Sequence, residues 1–215
     1  DRPHLYALFA GRRRVNIVPG PGGPGARWKR WFSDGWALLE LGERHAVDQY
    51  LVLADALGVP RVAEVVAPRA DDLAAVEAAL GPGWRARPFA VLHPTALYRY
   101  KSWTAAGWRG VIEHLVRRHG LRVILSGGPG EAERRGVAAL REGLPADVAG
   151  EVVDAAGRWR FAELAMVLRH ARLYLGPDTS ITHLAAACGV PTVALFGPSH
   201  PIAWGPWPNG ASAGP

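Results

Sequence analysis

The segment 176–183, Gly-Pro-Asp-Thr-Ser-Ile-Thr-His, combines the residue types best suited to hold an anion. It follows an apolar run and opens a helical pattern, so it predicts a turn from a strand into a helix N-terminus. Free backbone N–H groups and the positive end of the helix dipole favour a negative charge there. Asp178 and Thr179 are typical N-cap residues, whereas His183 falls on the first helical turn, within reach of the same anion. Capping explains the first two residues but not the histidine, so the segment predicts an anion-binding turn.

Two earlier loops add a cation and a carboxylate. Thr95 follows one apolar run, and Lys101 precedes the next helical pattern, where its ammonium could meet a phosphate as a point charge. The segment 126–131, Ser-Gly-Gly-Pro-Gly-Glu, opens another helix: Gly127 lets a ligand approach the backbone, and Glu131 can accept ribose hydroxyls. The spacing is not GxGxxG, so no dinucleotide fingerprint is present. A solvated lysine and a plain strand-to-helix turn remain the alternatives at these two loops.

These candidates follow the strands of a regular alternating pattern. The predicted strands are 89–93, 121–125, 151–154, 173–175 and 192–196, and the predicted helices are 104–119, 131–141, 161–169 and 180–188. Short apolar strands alternating with amphipathic helices indicate an α/β fold with a parallel sheet covered on both faces. Ligands of such sheets bind outside the carboxyl ends of the strands. We therefore expect the three loops, together with the rigid loop 196–201, to converge on one crevice and one ligand.

Residues 1–88 lack the regular alternation of strands and helices that is predicted from residue 89 onward. They include a glycine- and proline-rich loop at 19–25 and an aromatic, basic segment at 28–32, Trp-Lys-Arg-Trp-Phe. A short strand is predicted at 14–18 and helices at 43–57 and 71–80, each ended by glycine and proline. We therefore predict a domain boundary at residues 88 and 89.

Composition excludes several classes of protein. Of 215 residues, 49% are hydrophobic and 20% charged, which is typical of a globular chain. No apolar run approaches the ~20 residues needed to span a bilayer. The net charge of +6 favours anionic ligands or membranes, but the arginines are too scattered for a nucleic-acid reader. The single cysteine, Cys188, excludes an internal disulfide and is expected to be a buried helical thiol. The first residues show neither Met nor a signal peptide, so we expect a trimmed start.

The blocks 178–187 (Asp-Thr-Ser-Ile-Thr-His-Leu-Ala-Ala-Ala) and 189–198 (Gly-Val-Pro-Thr-Val-Ala-Leu-Phe-Gly-Pro) resemble glycosyltransferase family nine, the ADP-heptose:lipopolysaccharide heptosyltransferases. The loop from His93 to Trp103 is similar to that family's Pro-Gly-Ala and Lys-x-Trp-Pro segment. The resemblance implies a GT-B architecture of two Rossmann-like halves, with the donor sugar bound in the C-terminal half. Residues 1–88 would then be a remnant of the N-terminal acceptor domain with the linker, and residues 89–215 a nucleotide-sugar-binding domain that is truncated at its C-terminal end.

The resemblance also implies roles for individual residues. Lys101 and His183 would neutralise the diphosphate of the donor and stabilise the leaving group. The backbone of Thr179 and Ser180 would hydrogen-bond the diphosphate, Asp178 would cap the helix and face the sugar, and Glu131 would take the ribose. No metal or other cofactor is expected. Thr95 and Gly127 complete the predicted substrate-binding set.

The sequence departs from the family pattern in small and large ways. Ser180 stands where the family usually has Gly, which adds a Cβ near the phosphate but keeps the N–H, and Thr104 replaces the usual Pro. The family's general base, an Asp of the acceptor domain, has no counterpart and is expected upstream of residue 1. The final helices that pack across the cleft are expected beyond residue 215.

The sequence thus predicts an inverting, metal-independent glycosyltransferase. It would transfer heptose or a related sugar from a nucleotide-diphosphate donor, with ADP-heptose favoured, to a lipopolysaccharide core or other glycolipid. We expect a cytoplasmic location, with peripheral contact to the anionic inner membrane face and no nucleic acid partner. Two alternatives stay open: a non-catalytic nucleotide-sugar binding module, and another GT-B enzyme such as a nucleotide-sugar epimerase.

Overall fold

The structure is a computed structural model that describes residues 6, 9, 12–20, 23, 25–39 and 44–207. The chain divides into two compact units. One holds the described residues up to Glu64 together with His200–Gly205, and the other holds Val65–Ser199 with Pro206 and Trp207. The assignment of residues 1–88 to an acceptor-side remnant stays a prediction.

The first unit is built on a pair of parallel strands, β1 (Val15–Pro19) and β2 (Gly35–Leu39), joined by helix α1 (Ala26–Trp31). Helix α2 (Ala46–Leu57) packs on both strands and ends at Gly58, whose φ of 69° is the left-handed conformation that glycine adopts without strain. The predicted strand and the C-terminal end of the predicted helix 43–57 are therefore confirmed. The helix begins later than predicted because His45 is its N-cap residue, with a side chain that accepts the Val47 N–H. Residue 43 lies outside the described residues.

The second unit contains a five-stranded parallel sheet flanked by helices. Its elements are α3 (Ala74–Leu80), β3 (Phe89–Leu92), α4 (Ala105–His119), β4 (Arg122–Leu125), α5 (Glu131–Glu142), α6 (Ala146–Ala149), β5 (Val152–Asp154), α7 (Phe161–Leu168), β6 (Leu173–Pro177), α8 (Ser180–Ala187) and β7 (Thr192–Leu195). A last short helix, α9 (Pro201–Trp204), belongs to the first unit, where His45 Nε2 lies 2.7 Å from Gly205 O.

The core covers both faces of this sheet, as predicted. Alternate residues of β3 divide between two clusters: Phe89 and Val91 pack in one, and Ala90 and Leu92 pack in the other. All four are at most 1% exposed. Burial on both faces is what produces continuous apolar strands instead of an alternating pattern.

Strand order determines where a ligand can bind. The order is β5-β4-β3-β6-β7 with every pair parallel, so the chain runs one way from β3 and then crosses to the other side at β6. Such a reversal opens a crevice at the carboxyl ends of the two central strands. The loops that follow β3, β4 and β6 are those that carry Thr95, Gly127 and Asp178, and the fold brings them together at this edge.

Candidate functional site

A cavity of about 510 Å³ lies at the carboxyl edge of the sheet. Its walls come from the loops after β3, β4 and β6 and from the start of α7, so it occupies the predicted crevice. Its lining includes His93, Thr95, Lys101, Gly127, Gly128, Glu133, Trp159, Phe161, Asp178, Thr179 and Ser180. Residues 196–199 of the loop that was predicted to share this rim do not line the cavity; Gly197 lies instead against the backbone carbonyl of Tyr100.

Lys101 and Asp178 form a largely buried ion pair at this cavity. Lys101 Nζ donates to Asp178 Oδ2 at 2.6 Å and to the Asp178 backbone oxygen at 3.1 Å. The side chains are 20% and 9% exposed, so the charges are held in a poorly solvated position. His183 Nε2 lies 3.7 Å from the other carboxylate oxygen, Oδ1. The two residues that the sequence assigned to the diphosphate, Lys101 and His183, therefore both lie against the Asp178 carboxylate.

The N-terminus of α8 carries no side-chain cap. Thr179 is the N-cap residue, but its side chain makes no capping hydrogen bond. The prediction that Asp178 and Thr179 supply capping side chains is wrong: the Asp178 carboxylate is paired with Lys101 from a distant loop, and the Thr179 hydroxyl makes no capping hydrogen bond. No hydrogen bond within the described residues uses the backbone N–H groups of Ser180 and Ile181. These donors stay available to an anion at the positive end of the helix.

Glu133, not Glu131, is the carboxylate of the cavity. Glu133 Oε2 accepts from Thr95 Oγ1 at 2.7 Å and from the Gly128 backbone N–H at 2.9 Å. Glu131 is 73% exposed in its side chain, pairs with Arg135 at 3.4 Å and borders a separate surface depression. The structure therefore does not bring Glu131 to the predicted site. Both residues lie on the first turn of α5, and the rotation of that turn decides which one faces inward.

His93 lies at the end of β3, beneath the loop that carries Thr95. It is 6% exposed, with Nδ1 3.0 Å from Ser126 Oγ and Nε2 3.3 Å from Thr95 Oγ1. Burial lowers the pKa of His93 to about 4, an effect that the nearby Glu133 carboxylate only partly offsets. The imidazole is therefore neutral at physiological pH.

We expect acid to destabilise the protein through His93. An unfolded histidine has a pKa near 6.5, so the unfolded chain binds more protons than the folded one between about pH 6.5 and about pH 4. The free energy of unfolding should therefore fall as the pH is lowered through that range. Urea unfolding of the wild type and of His93→Gln across the range measures the contribution, because the variant should show a flatter pH dependence. His170, whose pKa is also lowered by burial, is present in both proteins and cancels in the difference. Equal slopes would contradict a neutral buried His93.

Two buried hydroxyl groups pack against the turn that leads from β6 into α8. Tyr174 OH lies 3.0 Å from Thr182 Oγ1, and Thr182 donates to the backbone oxygen of Pro177. Burial raises the pKa of the Tyr174 phenol, so it stays protonated. A Cβ built on Gly176 would fall on the Tyr174 hydroxyl and 2.7 Å from its Cζ atom. The absence of a side chain at Gly176 is what allows this tyrosine to lie under the turn.

Replacement of Gly176 by alanine should destabilise the protein by about 1–3 kcal/mol, the usual cost of overpacking a core. Tyr174 is fully buried, so it cannot move aside at low cost. Gly136→Ala is the matched control: it lies in α5 with open space around its Cβ position and should be neutral or slightly stabilising. Chemical denaturation of the two variants makes the comparison. Equal stabilities would show that the packing at Tyr174 is looser than the structure has it.

A scan of the sequence against protein families matches the model of glycosyltransferase family 9 (heptosyltransferase) over residues 22–213. The chain belongs to glycosyltransferase family 9. The family 9 segment includes the three loops and the start of α7 that form the cavity, so the prediction made from the Asp178–Pro198 blocks is confirmed.

Relatives of this family 9 chain agree with the assignment. Lipopolysaccharide heptosyltransferase 3 of Escherichia coli is 35% identical over 121 residues, which cover 56% of this chain and 34% of that protein. Lipopolysaccharide heptosyltransferase 1 of Pseudomonas aeruginosa is 37% identical over 53% of this chain and 30% of its own length. The chain thus spans about a third of the length of each of these two relatives.

The fold also matches a solved member of the family. The glycosyl transferase family 9 structure from Veillonella parvula superposes with a TM-score of 0.71 at 21% identity, over 95% of this chain and 63% of that one. The predicted GT-B type α/β fold is therefore confirmed for the family 9 chain.

Two further findings concern the described residues alone. None of their helices is long and apolar enough to cross a membrane. No group of three or more His, Cys, Asp or Glu side chains is arranged to hold a metal ion within the same part of the family 9 chain.

Proposed function

We propose that this chain forms the donor-binding part of an inverting heptosyltransferase that uses a nucleotide-diphosphate sugar, with ADP-heptose as the favoured donor. The observation that carries the proposal is the meeting, in one cavity, of Lys101, the uncapped N-terminus of α8 and the Glu133 carboxylate. Family membership supports it. One solved relative of this fold is an Escherichia coli heptosyltransferase with ADP, with a TM-score of 0.61 at 23% identity over 84% of this chain and 53% of that one.

The diphosphate is assigned to Lys101 and the start of α8. An ammonium group has three N–H donors, and Lys101 uses two of them on Asp178, which leaves one for a phosphate oxygen. The N–H groups of Ser180 and Ile181 add neutral donors at the positive end of the helix. His183, in contact with Asp178, adds a second cation when protonated. Ser180 has a Cβ where the family usually has none, but its side chain is exposed and does not block this approach.

The nucleoside is assigned to the remaining walls. Trp159, Phe161, Leu164 and Ile181 give the cavity an apolar side that suits a planar base. Glu133 Oε2 is engaged by Thr95 and Gly128, whereas no hydrogen bond among the described residues occupies Oε1. A carboxylate oxygen in that position can accept the ribose hydroxyls, the role that the sequence had given to Glu131.

In the transfer step an acceptor hydroxyl oxygen bonds to the anomeric carbon while the bond from that carbon to the diphosphate breaks. The electron pair of the broken bond leaves with ADP, and the acceptor's proton passes to a general base of the acceptor side. Negative charge then grows on the diphosphate, where Lys101 and the α8 N-terminus lower its energy without further rearrangement. We propose a lipopolysaccharide-core or related glycolipid acceptor, met at the cytoplasmic membrane face, where the net charge of +6 favours an anionic surface.

ADP should bind to this chain equally well with and without a divalent metal. Lysine, histidine and helix N–H groups here provide the positive charge that Mg²⁺ provides in other nucleotide sites. Titration calorimetry with ADP in excess EDTA and in millimolar Mg²⁺ tests this, with adenosine as the control that lacks phosphates. An absolute requirement for the metal would show that the phosphate site has been assigned wrongly, and absence of ADP binding in both buffers would reject the proposed function.

A further inference from the structure

We propose that His93 is a positioning residue for donor recognition: in its Nε2–H tautomer it orients the Thr95 hydroxyl, which fixes one oxygen of Glu133 and leaves the other to accept the ribose diol. The inference rests on the proposed function, since it concerns how the cavity holds the nucleoside. It gives a task to a buried histidine that the diphosphate contacts do not use.

The hydrogen bonds form a continuous chain in one direction. Ser126 Oγ lies 3.0 Å from His93 Nδ1, His93 Nε2 lies 3.3 Å from Thr95 Oγ1, and Thr95 Oγ1 lies 2.7 Å from Glu133 Oε2. A carboxylate can only accept, so the Thr95 hydroxyl must donate to Glu133. Its oxygen then has lone pairs facing His93. Only an N–H at Nε2 makes that contact favourable.

The other neutral tautomer breaks the chain. With the proton on Nδ1, Nε2 would present a lone pair to the Thr95 oxygen while the Thr95 proton is committed to Glu133. With the proton on Nε2, Nδ1 accepts from the Ser126 hydroxyl. Each polar atom that links Ser126, His93, Thr95 and Glu133 then has a partner. The Ser126 hydroxyl, which can also donate to the Leu92 carbonyl at 3.2 Å, then turns to Nδ1, and that carbonyl keeps the Ser126 backbone N–H as its donor at 2.8 Å. Both residues are buried, His93 at 6% and Ser126 at 3% exposure, and buried polar atoms are expected to have hydrogen-bond partners within the protein.

Glu133 is held closely enough for such orientation to matter. Its carboxylate lies against Gly128, where a Cβ would come within 2.5 Å of Oε1 and 3.0 Å of Oε2. The Gly128 N–H fixes Oε2 from one side and Thr95 fixes it from the other. Oε1 is thereby turned to one position, and a diol that must meet it gains from an acceptor that is already oriented.

Two amide replacements separate the two nitrogens of His93. The amide of Gln reaches the position of Nε2, so His93→Gln can still donate to Thr95. The amide of Asn reaches only the position of Nδ1, so His93→Asn can accept from Ser126 but leaves Thr95 without its donor. Thr95→Ser and Thr95→Val form a second pair that keeps and removes the hydroxyl. Within each pair the first variant is the matched control for the second.

The experiment compares ADP with 2′,3′-dideoxy-ADP by calorimetry and reads the His93 tautomer by nitrogen-15 NMR of the wild type. We expect the Nε2–H tautomer, and we expect the preference for ADP to fall about three- to tenfold in His93→Asn and Thr95→Val, the worth of one neutral hydrogen bond. His93→Gln and Thr95→Ser should keep it. The Nδ1–H tautomer, or an unchanged preference in His93→Asn and Thr95→Val, overturns the inference.

A Glu133→Ala variant separates this inference from the proposed function. Suppose that Glu133→Ala loses the preference for ADP over 2′,3′-dideoxy-ADP, while the two variants at His93, and likewise the two at Thr95, show the same preference as each other. The ribose contact then stands, and the positioning role of His93 is wrong. If Glu133→Ala keeps the preference, the ribose contact itself is wrong and the inference falls with it. The NMR measurement on the wild type needs no ligand and no substitution, so it decides the tautomer even where a variant fails to fold.

Discussion

Replacement of Lys101 by alanine should lower the affinity for ADP by about ten- to a hundredfold while leaving adenosine binding unchanged. Hydrogen bonds to charged groups contribute roughly 1.5–3 kcal/mol each, and Lys101 is held by Asp178 with one donor still available to a phosphate. The Lys101 side chain is only 20% exposed, so solvent screens its charge weakly. Calorimetry with ADP, AMP and adenosine measures the effect, which should grow with the number of phosphates.

The same substitution leaves the Asp178 carboxylate buried without its cation, so stability must be measured beside affinity. Lys101→Ala should unfold more easily than the double variant Lys101→Ala/Asp178→Asn, which removes the unpaired charge. The double variant should recover stability but not ADP affinity. Arg99→Ala is the control for general charge, because Arg99 lies two residues away on the same loop, exposed and outside the cavity lining. An equal loss of ADP binding in Arg99→Ala would mean that Lys101 acts only through long-range charge.

Much of the sheet could be predicted from the sequence because its strands are buried on both faces. The predicted strands at 121–125 and 192–196 differ from β4 and β7 by one residue at an end. The helix at 104–119 is also confirmed, since Thr104 accepts the Gly107 N–H as its cap and Gly120 ends it with a φ of 61°. These signals are local, and each depends on residues within one turn of the boundary.

The elements that were missed give no such local signal. Helix α1 has six residues, a glycine N-cap and no capping side chain, and β2 is a two-strand partner whose Trp36 and Leu38 are 43% and 41% exposed. Exposed aromatic and aliphatic residues in a short strand do not give the buried, continuous run that marks the central strands. Only pairing with β1, twenty residues earlier in the chain, makes this segment a strand.

The site shows the same division between local and distant information. The loops that carry Lys101 and Asp178 could be placed at one edge, because parallel strands end together. The pairing of Lys101 with the Asp178 carboxylate could not be predicted, since the two residues are 77 positions apart and spacing does not reveal their contact. His93 could be recognised as part of a family-like loop, but its contact with Ser126 depends on β3 and β4 being neighbours in the sheet.

Glu131 and Glu133 provide the sharpest test of the nucleoside site, since they lie two residues apart on one helix and differ in what they face. Glu133→Ala should weaken ADP binding by about ten- to a hundredfold, because a charged acceptor of the ribose hydroxyls is lost and the Gly128 N–H and Thr95 hydroxyl lose their partner. Glu131→Ala, on the exposed side and paired only with Arg135, should leave ADP binding unchanged.

Gly128→Ala reaches the same carboxylate from the backbone. Its new Cβ would lie within 2.5 Å of Glu133 Oε1, so the flexible end of the glutamate must move while the fold is kept. We expect ADP affinity to fall as it does in Glu133→Ala, with little change in unfolding free energy. The losses in Gly128→Ala and Glu133→Ala should not add in the double variant, because both act on one acceptor. Full additivity would show that the two substitutions act on different contacts. A loss in Glu131→Ala equal to that in Glu133→Ala would contradict the assignment of the ribose to Glu133 alone.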